Sequence, residues 1–218
     1  MPDSDPVTPT APRPIDFARA PAVDDRFDVI ARYAARGAVL DVGCIDERHP
    51  ERIGDSLHAR LKRLNPRVEG LDGDAAAVES VRRLGYEVRL ADACRDPLGG
   101  PYDCIVAGEL LEHIENPGAF LDRAREALAP GGTLLVTTPN PFRASQFFKI
   151  LKYGEPQIHP RHTLWFDPRT LAELLDRRGF LPLEFVWIRD PRRGFRRILA
   201  RFRPYLHAGF LLGSRIQP

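Results

Sequence analysis

The chain has 218 residues, 43% of them hydrophobic and 28% charged, which is material for one packed domain with a coated surface. Lys and Arg number 32 against 30 Asp and Glu, a balance that excludes a surface built throughout for nucleic acid. No stretch approaches the roughly 18 unbroken apolar residues of a membrane-spanning helix. The start, MPDSDPVTPT, has neither the basic nor the apolar region of a secretion signal. Cys44, Cys94 and Cys104 form no CxxC pair, so neither a disulfide framework nor a zinc knuckle is expected, and a reducing cytoplasm is. Residues 1–21 hold six prolines and little large apolar side chain, and are read as a disordered tail ahead of a domain over 22–218.

From Asp24 the text turns periodic. Phe27, Ile30, Ala31 and Ala34 recur at helical spacing. AVLDV (38–42) is a short apolar strand ending at Gly43, and Leu57, Leu61 and Leu64 follow as a helix that stops at Asn65-Pro66. VEGLD (68–72) is a second strand, and Ala77, Val78, Val81 and Leu84 mark a helix closed by Gly85. YEVRLAD (86–92) and YDCIVAG (102–108) are the third and fourth strands. Asn116-Pro117 reads as an N-cap followed by an N1 proline, with Phe120, Leu121, Ala124 and Leu128 along the helix. TLLVTT (133–138) is the fifth strand. Asp167-Pro168 caps a helix carrying Leu171, Leu174 and Leu175. FLPLEFVWI (180–188) and HAGFLLGSRI (207–216) are the sixth and seventh strands. Such alternation predicts a doubly wound α/β domain, a Rossmann-like, mostly parallel sheet with helices on both faces. Ligands in such sheets bind beyond the carboxyl ends of the strands.

Asp41 and Gly43 stand at the first such end, Asp72 at the second, Asp92 with Ala93 at the third and Gly108 at the fourth. Each acid alone reads as ordinary loop capping. As a set they suit an adenosine-type ligand without phosphates, since a carboxylate accepts ribose hydroxyls or an exocyclic amine, whereas a phosphate asks for a basic or glycine-dense loop.

The run VLDVGC, VEGLD, LADAC, YDCIVAGELLEHIENP, LAPGGTLLVTTPN resembles the class I S-adenosylmethionine-dependent methyltransferases over residues 26–188. The resemblance implies seven strands with the last antiparallel. It implies Gly43 against the methionine end of S-adenosylmethionine, Asp72 on the ribose, Asp92 and Ala93 on the adenine, and the Gly108 backbone beside the cofactor. Arg26, in R-F-x-x-I, is similar to the ubiquinone-pathway pattern in which Arg meets the cofactor carboxylate; a solvated helix arginine is the other reading. One departure stands out. Where the family reads GxGxG, this chain reads GCIDERHPERIG, and the loop is expected either to bind with Asp46, Arg48 or His49 taking part or to have lost affinity.

ExxEH (Glu109, Glu112, His113) places two carboxylates and an imidazole at positions that share one face if the segment is helical. In full it is similar to the ubiquinone-pathway O-methyltransferases and the small-RNA 3′-terminal 2′-O-methyltransferases, two metal-using subfamilies. These add a distal His, matched by His162 ahead of Phe166-Asp167-Pro168, with His159 as rival donor. The resemblance implies Glu109, Glu112, His113 and His162 as ligands of Mg2+ or another divalent cation, with His113 or His162 otherwise a general base; the alternative is a metal-free turn. Residues 142–165 are expected to form a substrate lid. The basic stretch 189–204 is expected to be a connection with a solvated arginine face, the alternatives being contact with an anionic membrane or a phosphorylated substrate. Eight Arg and one Asp lie between Arg189 and Pro218, so the rest of the chain is net acidic.

The expected function is an O-methyltransferase acting on a hydroxyl of a small or carrier-linked metabolite, such as a sugar, a polyketide or another secondary metabolite. The alternatives are an RNA 2′-O-methyltransferase and a non-catalytic, cofactor- or partner-binding relic of the fold.

Overall fold

The computed structural model describes residues 15–46, 48–191 and 194–217. A two-residue strand, β1 (Ala22–Val23), precedes α1 (Phe27–Ala34) and β2 (Val39–Val42). A 3-10 turn (Pro50–Asp55) leads to α2 (Leu57–Leu64), β3 (Val68–Asp72), α3 (Ala75–Arg83) and β4 (Val88–Leu90). Then come β5 (Tyr102–Gly108), α4 (Pro117–Ala127), β6 (Leu128–Pro139), α5 (Ala144–Tyr153) and α6 (Pro168–Arg177). The chain ends in β7 (Phe180–Ile188), α7 (Phe195–Phe202) and β8 (Gly209–Ile216).

The strands form one sheet in the order β1-β7-β8-β6-β5-β2-β3-β4, with β8 antiparallel to both β6 and β7 and the other pairs parallel. The doubly wound reading and the antiparallel last strand are borne out. The strand count is eight rather than seven, because Ala22–Val23 adds a short edge beside β7. Of the stretch read as a tail, residues 1–14 lie outside the described residues. Residues 15–21 pack: the Trp187 indole donates to the Phe17 carbonyl at 2.8 Å, and the Phe17 and Phe185 rings meet edge-on at 4.8 Å. The tail reading therefore stops short of Ile15. Prolines flank this segment, but Ile15 and Phe17 have an apolar shelf to land on.

Strand alternation sorts the core into two layers. Leu40, Val42, Ile105 and Ala107 face α4 and α6, meeting Phe120, Leu121, Ala124, Leu171 and Leu175. Val39, Cys104 and Val106 face the other way, toward Ile30 and Ala34 of α1 and Leu61 of α2. The caps read from sequence are formed. Asn116 Oδ1 accepts from the Ala119 amide at 3.0 Å, and Asp167 and Thr170 make a capping box. Winding runs outward from β2 through β3 to β4, then returns to β5 on β2's other side. The switch point thus lies between β2 and β5, and a crevice is expected at their carboxyl ends.

Candidate functional site

That crevice is a cavity of about 730 Å3. Arg26, Asp41, Gly43, Asp72, Asp92, Ala93 and Gly108, scattered through the sequence, all line it. Its size falls in the usual range for small-molecule sites, roughly 300–1,000 Å3. Gly43 holds φ 69°, and a Cβ there would sit 2.8 Å from Leu110 Cδ1, so only glycine closes this turn. Asp72 is buried, and burial raises its carboxyl above the usual carboxylate range. Its Oδ2 accepts from the Ile45 amide and its Oδ1 from the Asp74 amide, each at 3.0 Å. Each oxygen keeps lone-pair capacity for a further donor such as a ribose hydroxyl.

The same bond explains how the loop after β2 is held without its second and third glycines. Ile45 packs with Cys44, Ile53, Val78, Val81 and Val88 while its amide is anchored on Asp72. The loop is tied down by burial rather than by glycine turns. Asp46 and Arg48 then line the cavity, whereas His49 turns to Glu51 at 3.3 Å.

Asp41 lies on the α1/α2 side of the sheet, where sequence reading had placed no partner. His58 of α2 sits there, fully buried, its Nδ1 3.1 Å from Asp41 Oδ2. Gly70 on β3 makes room: a Cβ there would lie 2.7 Å from His58 Cε1. A signal existed, since His58, Leu61 and Asn65 share one helical face and all are buried.

Residues 109–113 are a bend and a turn rather than a helix, which corrects the shared-face reading of ExxEH. Glu109 adopts φ 57°, a left-handed conformation costly for a non-glycine residue. Two contacts hold it: its amide donates to the Thr137 carbonyl at 2.9 Å, and its Oε1 pairs with Arg26 Nη1 at 2.7 Å. The same Nη1 donates to Thr137 Oγ1 at 3.0 Å. Arg26 thus lines the cavity already paired with an acid, Glu109 of the expected metal set.

Among the described residues, the group whose donor atoms all lie within 4.8 Å of one another is His113, His159 and His162. His113 and His162 stack edge-on at 4.6 Å, with His159 about equally far from both. The rival donor His159 is therefore inside the cluster. Thr163 positions the distal pair: its amide donates to the Glu112 carbonyl at 2.8 Å, and its hydroxyl to the Ile114 carbonyl at 3.0 Å. Burial, with the neighbouring imidazoles second, lowers His162 to about 4, which leaves a neutral ring near pH 7. Glu112 is only 1% exposed and lies outside the three-histidine group. Thr138 donates to its Oε2 at 3.1 Å, while Oε1 has no hydrogen-bond partner among the described residues. Burial, with Glu109's charge adding to it, pushes this carboxyl up to about 8. Glu112 instead lines a small adjoining pocket with Arg143, His159 and His162. Three imidazoles with an unsatisfied acid nearby are a donor set that a divalent cation of mixed N/O preference can use.

Residues 18–184 match the family model described as a methyltransferase domain. The ubiquinone biosynthesis O-methyltransferase of Shewanella halifaxensis is 28% identical over 69% of the chain and 66% of its own length. That of Shewanella pealeana is 33% identical over 63% of the chain and 61% of its own length. The match thus spans less than two thirds of these relatives. Solved structures with the same fold include a SAM-dependent methyltransferase from Archaeoglobus fulgidus (TM-score 0.62, 15% identity, 87% of this chain and 90% of that one). The magnesium protoporphyrin IX methyltransferase of Synechocystis with bound SAH aligns at TM-score 0.60 and 15% identity, over 88% of this chain and 82% of that one. With the winding order, the strand-end acids and these matches together, the chain belongs to the class I S-adenosylmethionine-dependent methyltransferase family.

Proposed function

We propose that the chain is a cytoplasmic S-adenosylmethionine-dependent O-methyltransferase acting on a hydroxyl of a small or carrier-linked metabolite. In this reading a divalent cation is held by His113, His159 and His162. One observation carries it: the strand-end acids and the three imidazoles open into the same cavity.

Bound S-adenosylmethionine supplies a methyl group on a positively charged sulfur. Asp72 accepts the ribose hydroxyls, and Asp92 with Ala93 frames the adenine. Gly43 and Gly108 keep side chains out of the cofactor's path. Asp41, Asp72, Asp92 and Glu109 line the cavity and favour a cationic cofactor over its neutral product. Arg48 stands on the loop that lacks the family glycines and takes the carboxylate end, because its pairing with Asp46 at 3.6 Å is looser than that of Arg26 with Glu109 at 2.7 Å. His113, His159 and His162 would hold a cation whose charge would lower the pKa of an acceptor hydroxyl and orient it. Residues 142–165 cover this side as the lid; the buried Gln146 clamps it, donating to the Gln157 carbonyl at 2.8 Å. Transfer would join the acceptor oxygen to the methyl carbon as the carbon–sulfur bond breaks, with the hydroxyl proton leaving to solvent because all three cavity imidazoles hold the cation.

The fold alone does not decide the chemistry, since a [4+2]-cyclase, SpnF, shares it at TM-score 0.60 and 18% identity, over 89% of this chain and 81% of that one. Titration calorimetry with S-adenosylhomocysteine tests the cofactor half. Binding is expected, weakened at least ~10-fold in Asp72→Ala through loss of ribose contacts. No heat with the wild type would leave a non-catalytic relic of the fold as the better reading. Transfer of labelled methyl from S-adenosylmethionine to a panel of alcohols, phenols and amines tests the other half. Transfer to amines alone would overturn the O-methyl assignment.

A further inference from the structure

The segment after β7 was expected to bury its apolar side and solvate its arginines. It solvates Arg201 and Arg203 but exposes its apolar side as well. Phe195, Ile198 and Phe202 lie on one face of α7 and are 65%, 58% and 69% exposed. Arg196 and Arg197, on the opposite side, are half-buried against the protein. Arg197 Nη2 pairs with Asp24 Oδ1 at 2.5 Å, and the Arg196 guanidinium lies 5.6 Å from the Phe148 ring centroid. α5 extends the same surface through Phe147 and Leu151, 56% and 68% exposed, and the two helices meet at Phe148 and Phe195. Lys152, Arg201 and Arg203 are exposed around these side chains.

A helix that ties Arg196 and Arg197 to the body and offers aromatic tips to water is unfavourable unless something apolar covers it. Two copies of this face pressed together would set arginine and lysine against their own kind. A flat surface combining apolar depth with negative charge suits it better: aromatic and aliphatic tips enter the acyl boundary while Lys and Arg stay among anionic headgroups. We infer that the α5–α7 face docks on an anionic phospholipid membrane. Asn140 links that face to the site: its side-chain amide donates to the carbonyls of Tyr205 and His207, joining the turn that begins α5 to the segment that follows α7. The docking does not depend on methyl transfer.

The full chain is tested by co-sedimentation with vesicles of phosphatidylcholine alone and of phosphatidylcholine with phosphatidylglycerol. Pelleting is expected with the anionic vesicles and at least ~10-fold less with the neutral ones. The triple variant Phe195→Ser/Ile198→Ser/Phe202→Ser is expected to lose at least ~10-fold of the binding, because the apolar insertion is gone. Its melting temperature should match the wild type, since these side chains are exposed. Arg201→Glu/Arg203→Glu should lose binding to anionic vesicles with the apolar face intact. Absence of pelleting with anionic vesicles, or equal pelleting by the triple variant, overturns the inference. So does a dimer in size-exclusion chromatography that the triple variant abolishes, since a second copy would then own the face. Capture by an acidic carrier protein with no vesicle binding would overturn it too.

Discussion

Arg26 reaches the carboxylate of Glu109, 2.7 Å away, and joins the start of α1 to the bend that follows β5. The pair is partly exposed, and so is expected to contribute about 1 kcal/mol in a double-mutant cycle of Arg26→Ala and Glu109→Ala read by urea denaturation. Coupling near zero would mean that the pair only decorates the cavity rim. Glu109→Gly separates a second effect. It removes the same pair but also relieves a positive φ at a non-glycine residue, worth about 1 kcal/mol, so it should cost less stability than Glu109→Ala.

His58 and Asp41 form the other pair that fixes the site from behind. Both are buried, so removing one leaves the other without its partner in an apolar layer. His58→Leu is expected to destabilise by about 3 kcal/mol, the range for stranding a buried polar partner. The same variant should weaken S-adenosylhomocysteine binding, because Asp41 also lines the cavity. Stability unchanged from wild type would show that Asp41 finds another donor when His58 is gone.

The alternating strands and helices were legible because each is short, apolar and punctuated. Asn116-Pro117 and Asp167-Pro168 mark helix starts by backbone chemistry that needs no tertiary context. Asp72 and Asp92 were legible because strand ends in a doubly wound sheet have one functional side. The fate of Glu109 was not legible. Whether it or His159 joins His113 and His162 depends on Arg26, brought in from another element, and on a bend that ExxEH spacing does not encode. The sense of α7 was hidden for a related reason. Periodicity shows that a helix has two faces, but which one looks inward depends on contacts with distant elements, such as that of Arg197 with Asp24.

The histidine cluster makes a metal prediction distinct from the ExxEH reading. His159→Ala and His162→Ala should each weaken binding of Mn2+ or Zn2+ by about 10-fold or more, measured by competition with a chromogenic chelator. Glu109→Ala should leave it within about threefold, since that acid is paired with Arg26. If Glu109→Ala abolishes metal uptake and His159→Ala does not, the ligands are those of the sequence motif and the bend at Glu109 rearranges on binding. Excess EDTA should reduce methyl transfer while leaving S-adenosylhomocysteine affinity unchanged, because the strand-end acids bind without the ion.

Glu112 carries the pH prediction. Burial raises its carboxyl to about 8 from the ordinary value of 4.5. Between those two pH values the folded chain holds a proton that the unfolded chain has released. The stability this proton confers is complete below about pH 4.5 and is lost as pH rises through 8, at up to ~1.4 kcal/mol per pH unit. Glu112→Gln keeps an acceptor for the Thr138 hydroxyl and cannot ionise. Near pH 5 the variant and wild type should therefore melt together. Near pH 9 the variant should melt several degrees higher, the gap opening between about pH 4.5 and 8, where only the folded chain keeps the Glu112 proton. The comparison is made without added metal, because a bound cation would favour the ionised carboxylate and narrow the gap. A gap that stays constant from pH 5 to 9 would show that Glu112 has the same protonation state in the folded and unfolded chains throughout, and that its unpartnered oxygen is met by solvent.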